Sequence, residues 1–155
     1  MRPAVPAARR GYALVEVLVA ATVLAIGLLG GVTLLLDGVR AARGARDAIA
    51  AAGLVADLGE RIRANPAAGD AYALAADRSP QPPADRCAAG CDAASIAAVD
   101  LDDWRRDAAV ALPGARTSVA VAAQDGGPAR RHAITVEWIV AGRDAPARLD
   151  AVVVP

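Results

Sequence analysis

The chain has 155 residues, of which 55% are hydrophobic, and its 17 basic and 17 acidic residues leave no net charge. Because nucleic-acid-binding proteins carry an excess of basic charge, this balance argues against nucleic acid as a partner. The hydrophobic residues are concentrated in the first third, so the soluble part amounts to about 100 residues, enough for one small domain.

An uncharged stretch from Val17 to Leu36 is the first predicted element. A helix of this length rises about 30 Å, which matches the hydrocarbon core of a bilayer. Arg2, Arg9 and Arg10 lie before it, and residues 1–15 contain no acidic residue. The positive-inside rule therefore places the N-terminus in the cytoplasm and the chain from Asp37 onward across the membrane.

One carboxylate, Glu16, lies at the start of this apolar segment. A charge at the centre of a span costs about 2.5 to 3.5 kcal/mol on insertion scales, so we expect Glu16 to have a use. A cleaved signal peptide has a shorter apolar region, and twin-arginine signals, which Arg9 and Arg10 suggest, are typically less hydrophobic. A plain signal anchor fits the length and the flanks but leaves Glu16 unexplained.

The order Arg-Arg-Gly, then Tyr-Ala-Leu-Val-Glu and an apolar helix, resembles the class III signal of type IV prepilins and type II secretion pseudopilins. That motif has glycine before the cut, usually phenylalanine after it, and glutamate as the fifth mature residue. By this resemblance, Gly11 is the last residue of the leader, Tyr12 is the new N-terminus and Glu16 is the glutamate of the motif. Tyr12 replaces the usual phenylalanine but keeps an aromatic ring, and Ala13 replaces the usual threonine.

The resemblance also implies a reaction in which this chain is a substrate and not an enzyme. A membrane-embedded prepilin peptidase cuts after the glycine, which lacks a side chain and leaves the backbone free to fit a protease cleft, and methylates the amine of Tyr12. In the family's model, Glu16 of one subunit would pair with the amine of its neighbour and fix the axial register, because other registers leave both charges unpaired in a low-dielectric interior. The alternative is that Glu16 only snorkels to the interface.

The helix is predicted to continue as one element from Tyr12 to Asn65, because Pro66 disfavours helical geometry in the residue before it. Gly27 and Gly31 form a GxxxG pair, which allows close helix contact in a membrane. Between 37 and 65, apolar residues recur at spacings of three and four and predict a stripe that packs on a head: Ala48, Ala51, Val55, Leu58 and Ile62.

The next segment, from Pro66 to Pro83, is rich in Pro, Ala, Gly and Asp and is predicted to be a surface loop. Cys87 and Cys91 follow it. An extracytoplasmic location favours a disulfide between them, because oxidising compartments favour bridges in small domains. Half of a metal site is the alternative, but the sequence has no second cysteine pair and its single histidine, His132, is distant.

A second helix is predicted around Trp104. Asp100 is its expected N-cap, and Asp102 and Asp103 lie in the first turn, where negative charge suits the helix dipole. Calcium binding by these three aspartates is the alternative interpretation. The expected buried face consists of Leu101, Trp104, Ala108 and Leu112.

Leu112-Pro113-Gly114 is expected to stop that helix, and three strands are predicted after it, Thr117 to Ala122, His132 to Val140 and Arg148 to Val154. The turns between them, Gln124 to Arg130 and Gly142 to Ala147, favour an antiparallel meander. The middle strand alternates, with Ile134, Val136 and Trp138 on one side and Thr135, Glu137 and Ile139 on the other. The predicted fold is α+β and type IV pilin-like: a long N-terminal helix, half transmembrane, packed on a small antiparallel sheet of about three to four strands.

The predicted organisation has four parts: a cytoplasmic leader over 1–11, a transmembrane or filament-core half-helix over 12–36, an amphipathic half-helix over 37–65, and a globular head over 66–155. Several short matches along the chain are similar to the minor pilin family called type IV pilus modification protein PilV. They are Ile26-Gly27-Leu28-Leu29-Gly30, Glu60-Arg61-Ile62-Arg63-Ala64-Asn65, Asp103-Trp104, Leu112-Pro113-Gly114 and Ile134-Thr135-Val136-Glu137-Trp138.

The resemblance implies a low-abundance subunit that primes pilus assembly at the inner membrane and ends at the filament tip, in adhesion and twitching motility. Its implied partners are the prepilin peptidase, other minor pilins, the major pilin and a tip adhesin, with no cofactor and no small-molecule substrate. A minor pseudopilin of a type II secretion system is the main alternative. An anchored enzyme is a weaker one, because the sequence offers neither a nucleophile beside a base nor a phosphate loop.

Overall fold

The computed structural model describes residues 10–88, 90–124 and 129–155, with side chains from Ala13 onward. Arg2 and Arg9, most of the predicted leader and the middle of the predicted turn from Gln124 to Arg130 lie outside the described residues. The chain divides into two compact units, one up to Ala42 and one over Arg43–Pro155. The elements are helix α1 (Arg10–Ala64), a 3₁₀ helix (Pro66–Tyr72), helix α2 (Ala93–Ala111), and strands β1 (Arg116–Ala123), β2 (Arg130–Trp138) and β3 (Ala147–Val153).

Within the second unit, the three strands form one antiparallel sheet in the order β1-β2-β3, which confirms the predicted meander. Val119 of β1 lies opposite Ile134 of β2, and Ile134 lies opposite Ala151 of β3. Leu74 adds a single bridge to the free edge of β1, exchanging backbone hydrogen bonds of 2.8 and 2.9 Å with Val119. Three strands need a covered apolar face for stability, and helices α1 and α2 supply the cover.

The core lies between the second part of α1, helix α2 and one face of the sheet. Ile134, Val136 and Trp138 are buried, as their alternation along β2 predicted. The predicted stripe of α1 is buried from Ala51 to Ile62, but Ala48 is exposed and that part of the prediction is wrong. The buried cluster of the head begins on α1 at Ala51, with Ala50 partly buried against it, so Ala48 lies just outside the contact.

Helix α2 begins earlier than the sequence predicted. Its N-cap is Asp92, whose backbone is extended and whose Oδ1 accepts a 2.8 Å hydrogen bond from the amide of Ser95. Asp100 is therefore in the second turn of a helix that starts at Ala93, and its prediction as the N-cap is wrong. The predicted buried face is confirmed for Leu101, Trp104, Ala108 and Leu112.

Gly114 occupies the turn between α2 and β1, where two features of the structure disfavour a side chain. Its φ is +59°, a left-handed conformation, and an added Cβ would lie 2.5 Å from Cδ1 of Ile139. The amide of Ile139 is fixed in turn by a 2.8 Å hydrogen bond to the carbonyl of Pro113. The predicted helix stop at Leu112-Pro113-Gly114 thus also requires glycine for a close approach between two turns.

Replacing Gly114 by alanine is expected to lower the free energy of unfolding more than the same change at Gly142. Gly142 also has a positive φ, +81°, but nothing lies within 4 Å of its added Cβ. Gly142→Ala should cost about 1 to 2 kcal/mol from the left-handed backbone alone. Gly114→Ala should cost about 0.5 to 1.5 kcal/mol more, because the exposed side chain of Ile139 must leave its rotamer. Chemical denaturation measures the free energy of unfolding of both variants. Equal decreases would contradict an energetic cost of moving Ile139.

Candidate assembly site

The described part of the first unit is a helix, which is apolar on every side from Val17 to Leu36. Each large apolar side chain from Leu14 to Leu36 is at least half exposed. The helix is long enough and apolar enough to cross a membrane, with a mean hydropathy of 2.4 over its most apolar 18-residue window. An amphipathic surface helix would keep one polar face, so this segment fits a lipid or an all-protein apolar environment.

The hydroxyl groups of this helix are satisfied inside it. Thr22 donates to the carbonyls of Leu18 and Val19 at 2.9 and 2.8 Å, and Thr33 donates to Gly30 at 2.8 Å. Such bonds let a threonine enter an apolar environment without an external partner. Glu16 differs from the threonines, because a carboxylate only accepts hydrogen bonds and needs a donor or a cation.

The structure places the three predicted signal residues within the first two turns of α1. The backbones of Gly11 and Tyr12 are helical, since α1 begins at Arg10, two residues before the predicted start. The side chain of Glu16 is exposed. Tyr12 and Glu16 are four residues apart, which corresponds to about one turn, or about 6 Å along the axis.

The GxxxG pair has open surroundings in the single chain. An added Cβ at Gly27 or Gly31 would meet no atom within 4 Å, and the same is true of Gly30. Glycines on an exposed helix face expose backbone that a second helix can approach closely. This part of α1 is therefore shaped for helix contact rather than for packing inside its own chain.

In the second unit, Cys87 and Cys91 form the predicted disulfide. The residue before it, Arg86, reaches α2 with two ion pairs, Nη1 to Asp102 at 2.8 Å and Nη2 to Asp103 at 2.5 Å. Arg106 pairs with the same two aspartates. Hydrogen bonds from Arg106 and Arg86 lower the pKa of Asp102, and the bond to Asp102 raises the pKa of Arg86.

Calcium binding was the alternative interpretation of three aspartates, and ion pairs and hydrogen bonds within the head explain all three. Asp102 and Asp103 bind arginines, and Asp100 binds a different part of the head. No group of three or more His, Cys, Asp or Glu side chains able to hold a metal ion exists in the part of the chain that the structure describes.

A partly buried polar network connects α1, the 3₁₀ helix and α2, and the sequence did not reveal it. The hydroxyl of Tyr72 donates to Oδ2 of Asp100 at 2.7 Å, and Arg61 contacts Asp100 at 3.3 Å and Asp57 at 2.9 Å. Burial and the hydrogen bond to Asp100 raise the pKa of Tyr72. Asn65 joins the network by donating to the carbonyl of Ala93 at 2.9 Å. The helix end around Arg61 is therefore a packed junction.

His132 is a core residue. It is 1% exposed, and its Nε2 donates to the carbonyl of Gly69 at 3.1 Å. Its ring contacts Tyr72 edge to face, with centroids 6.1 Å apart. His132 therefore packs at the junction of β2 and the 3₁₀ helix, and its buried Nδ1 has no hydrogen-bond partner among the described residues.

A model of the prokaryotic N-terminal methylation motif matches residues 6–34. The matched range contains Gly11, Tyr12, Glu16 and most of the apolar segment. No curated protein and no solved structure matches the chain. The motif implies processing by prepilin peptidase and assembly with other pilins, and together with the apolar helix it fits anchoring in the inner membrane. These findings indicate a type IV pilin or pseudopilin with a long N-terminal helix, whose residues from Ala51 to Ile62 pack on a three-stranded antiparallel sheet.

Proposed function

We propose that this chain is a minor pilin of a type IV pilus. Prepilin peptidase cuts it between Gly11 and Tyr12 and methylates the amine of Tyr12, after which it joins other minor pilins in a complex that primes assembly and caps the filament tip. The observation that carries the proposal is the methylation motif over residues 6–34, continued by a helix that is apolar on every side except at Glu16. Before assembly the head is periplasmic, and the matches to the PilV family support the pilus over the secretion system.

The role proposed for Glu16 follows from its environment. The threonines of the apolar segment are satisfied internally, so Glu16 is the one side chain there that needs a cation. Cleavage creates an amine at Tyr12, and the amine of a neighbouring subunit is a cation that every assembled copy can supply. Because an unpaired charge in an apolar interior is costly, the pair selects one axial register.

Replacing Glu16 by glutamine is expected to leave processing intact and to reduce the amount of the protein in sheared pili by at least about tenfold, because a neighbour's buried amine loses its counter-charge. Quantitative immunoblotting of sheared pili and membranes measures the ratio. Asp37→Asn is the matched control, since Asp37 lies at the other end of the span and pairs with Arg40. Equal incorporation of both variants would contradict the role of Glu16.

The second candidate is a minor pseudopilin, favoured by the same match, because the motif is common to both machineries. Deletion of the gene separates the two. A minor pilin predicts loss of surface pili and twitching with normal protein secretion. Loss of secretion with normal pili would identify a pseudopilin.

A further inference from the structure

The segment before helix α2 holds two consecutive side-chain-bearing residues in a left-handed conformation. Arg86 has a φ of +46° and Cys87 a φ of +71°, and no other described residue besides glycine has a positive φ. In this conformation the Cβ lies close to the following carbonyl oxygen, so such residues rarely adopt it. It persists only where the surrounding structure imposes it.

Two attachments connect this segment to α2, one on each side of the disulfide. Arg86, directly before Cys87, binds Asp102 and Asp103 with its two guanidinium nitrogens. Asp92, directly after Cys91, caps the helix through the amide of Ser95. The bond between Cys87 and Cys91 therefore joins the two points at which the segment meets α2.

We propose that the Cys87–Cys91 disulfide is a redox switch that holds Arg86 in its left-handed conformation and thereby on Asp102 and Asp103 of α2. A dithiol reductant breaks the S–S bond, delivers two electrons and two protons to form two thiols, and itself becomes a disulfide. Arg86 and Cys87 then relax to an ordinary backbone conformation, and the guanidinium leaves the helix.

The switch changes the charge of one surface. With the bond intact, Arg86 and Arg106 balance Asp102 and Asp103. When Arg86 leaves, Arg106 alone faces two carboxylates, and the exposed side of α2 gains one net negative charge. A segment between the 3₁₀ helix and α2 thus couples the redox state of the periplasm to the charge of the head.

Linkage makes the proposal measurable. If the disulfide stabilises the ion pairs of Arg86, those ion pairs must stabilise the disulfide by the same factor. The full-length protein in detergent is equilibrated in glutathione redox buffers, and alkylation followed by mass spectrometry gives the ratio of disulfide to dithiol. For Arg86→Ala the equilibrium should shift toward the dithiol by about twofold to fivefold, the range expected from partly exposed ion pairs.

Arg148→Ala is the matched control, because Arg148 also forms two ion pairs, to Asp150 and Glu137, but on the sheet. The proposal expects no shift for this variant. No shift for Arg86→Ala would overturn it. Equal shifts for both variants would also overturn it, since the cysteines would then report only the overall stability of the head.

Discussion

Replacing Gly11 by leucine is expected to leave the leader attached to the whole population of the protein. The cleft of a peptidase must admit the residue before the scissile bond, and glycine alone offers a backbone without a Cβ. The uncut chain would keep residues 1–11 and would have no free amine at Tyr12 to pair with a neighbour. The mass of the intact protein from membranes gives the result, and its amount in sheared pili should fall to background.

Two substitutions beside the cut serve as controls. Tyr12→Phe and Ala13→Thr introduce the residues that the family usually has at these positions, so both variants should be processed like the unchanged chain. A normal mature mass for Gly11→Leu would show that the cut does not depend on this glycine. If Tyr12→Phe and Ala13→Thr were not processed, the peptidase would recognise this signal by residues other than those usual in the family.

Replacing Trp104 by alanine is expected to lower the free energy of unfolding of the head by about 3 to 5 kcal/mol. Trp104 is fully buried, and its Nε1 donates a 2.9 Å hydrogen bond to the carbonyl of Leu54 in α1. The alanine removes one of the two buried tryptophans of the core and the hydrogen bond that Trp104 donates to this turn of α1. The total free energy of unfolding of a domain is about 5 to 15 kcal/mol. The loss should therefore appear as a much lower denaturation midpoint.

Two further variants separate packing from hydrogen bonding at this position. Trp104→Phe keeps an aromatic ring but loses the donor, and it should cost clearly less than the alanine variant. Val110→Ala lies on the same helix at a side chain that is 90% exposed, and it should change stability by no more than about 0.5 kcal/mol. Similar losses for Trp104→Ala and Val110→Ala would contradict the position of Trp104 in the core.

The parts of the fold that follow from periodicity were predictable. The spacing of three and four from Ala51 to Ile62 identified the buried side of α1, and the alternation from Ile134 to Trp138 identified the covered face of β2. Both patterns are local, because a helix or a strand repeats its environment along its own length. The methylation motif over residues 6–34 could also be identified from the sequence, because it is a short linear pattern. The cut after Gly11 and the role of Glu16 stay predictions.

The parts that depend on distant contacts were not predictable from the sequence. Asp100 was predicted as the N-cap because Asp102 and Asp103 would then lie in the first turn of the helix. The alanine-rich segment after Asp92 also forms helix, however, and Asp100 instead binds Tyr72, 28 residues away in the chain. The same holds for Arg86, whose partners are 16 and 17 residues further on. Ala48 has the right spacing but lies where no other element covers α1.

We propose that the chain is cut between Gly11 and Tyr12 and assembles through the new N-terminus. The most direct test is the mass and fragmentation of the N-terminal peptide of the protein isolated from sheared pili. We predict a peptide that begins at Tyr12 and carries one methyl group on its amine. A peptide that begins at any other residue, or a protein that is absent from pili although its processing is normal, would contradict the account.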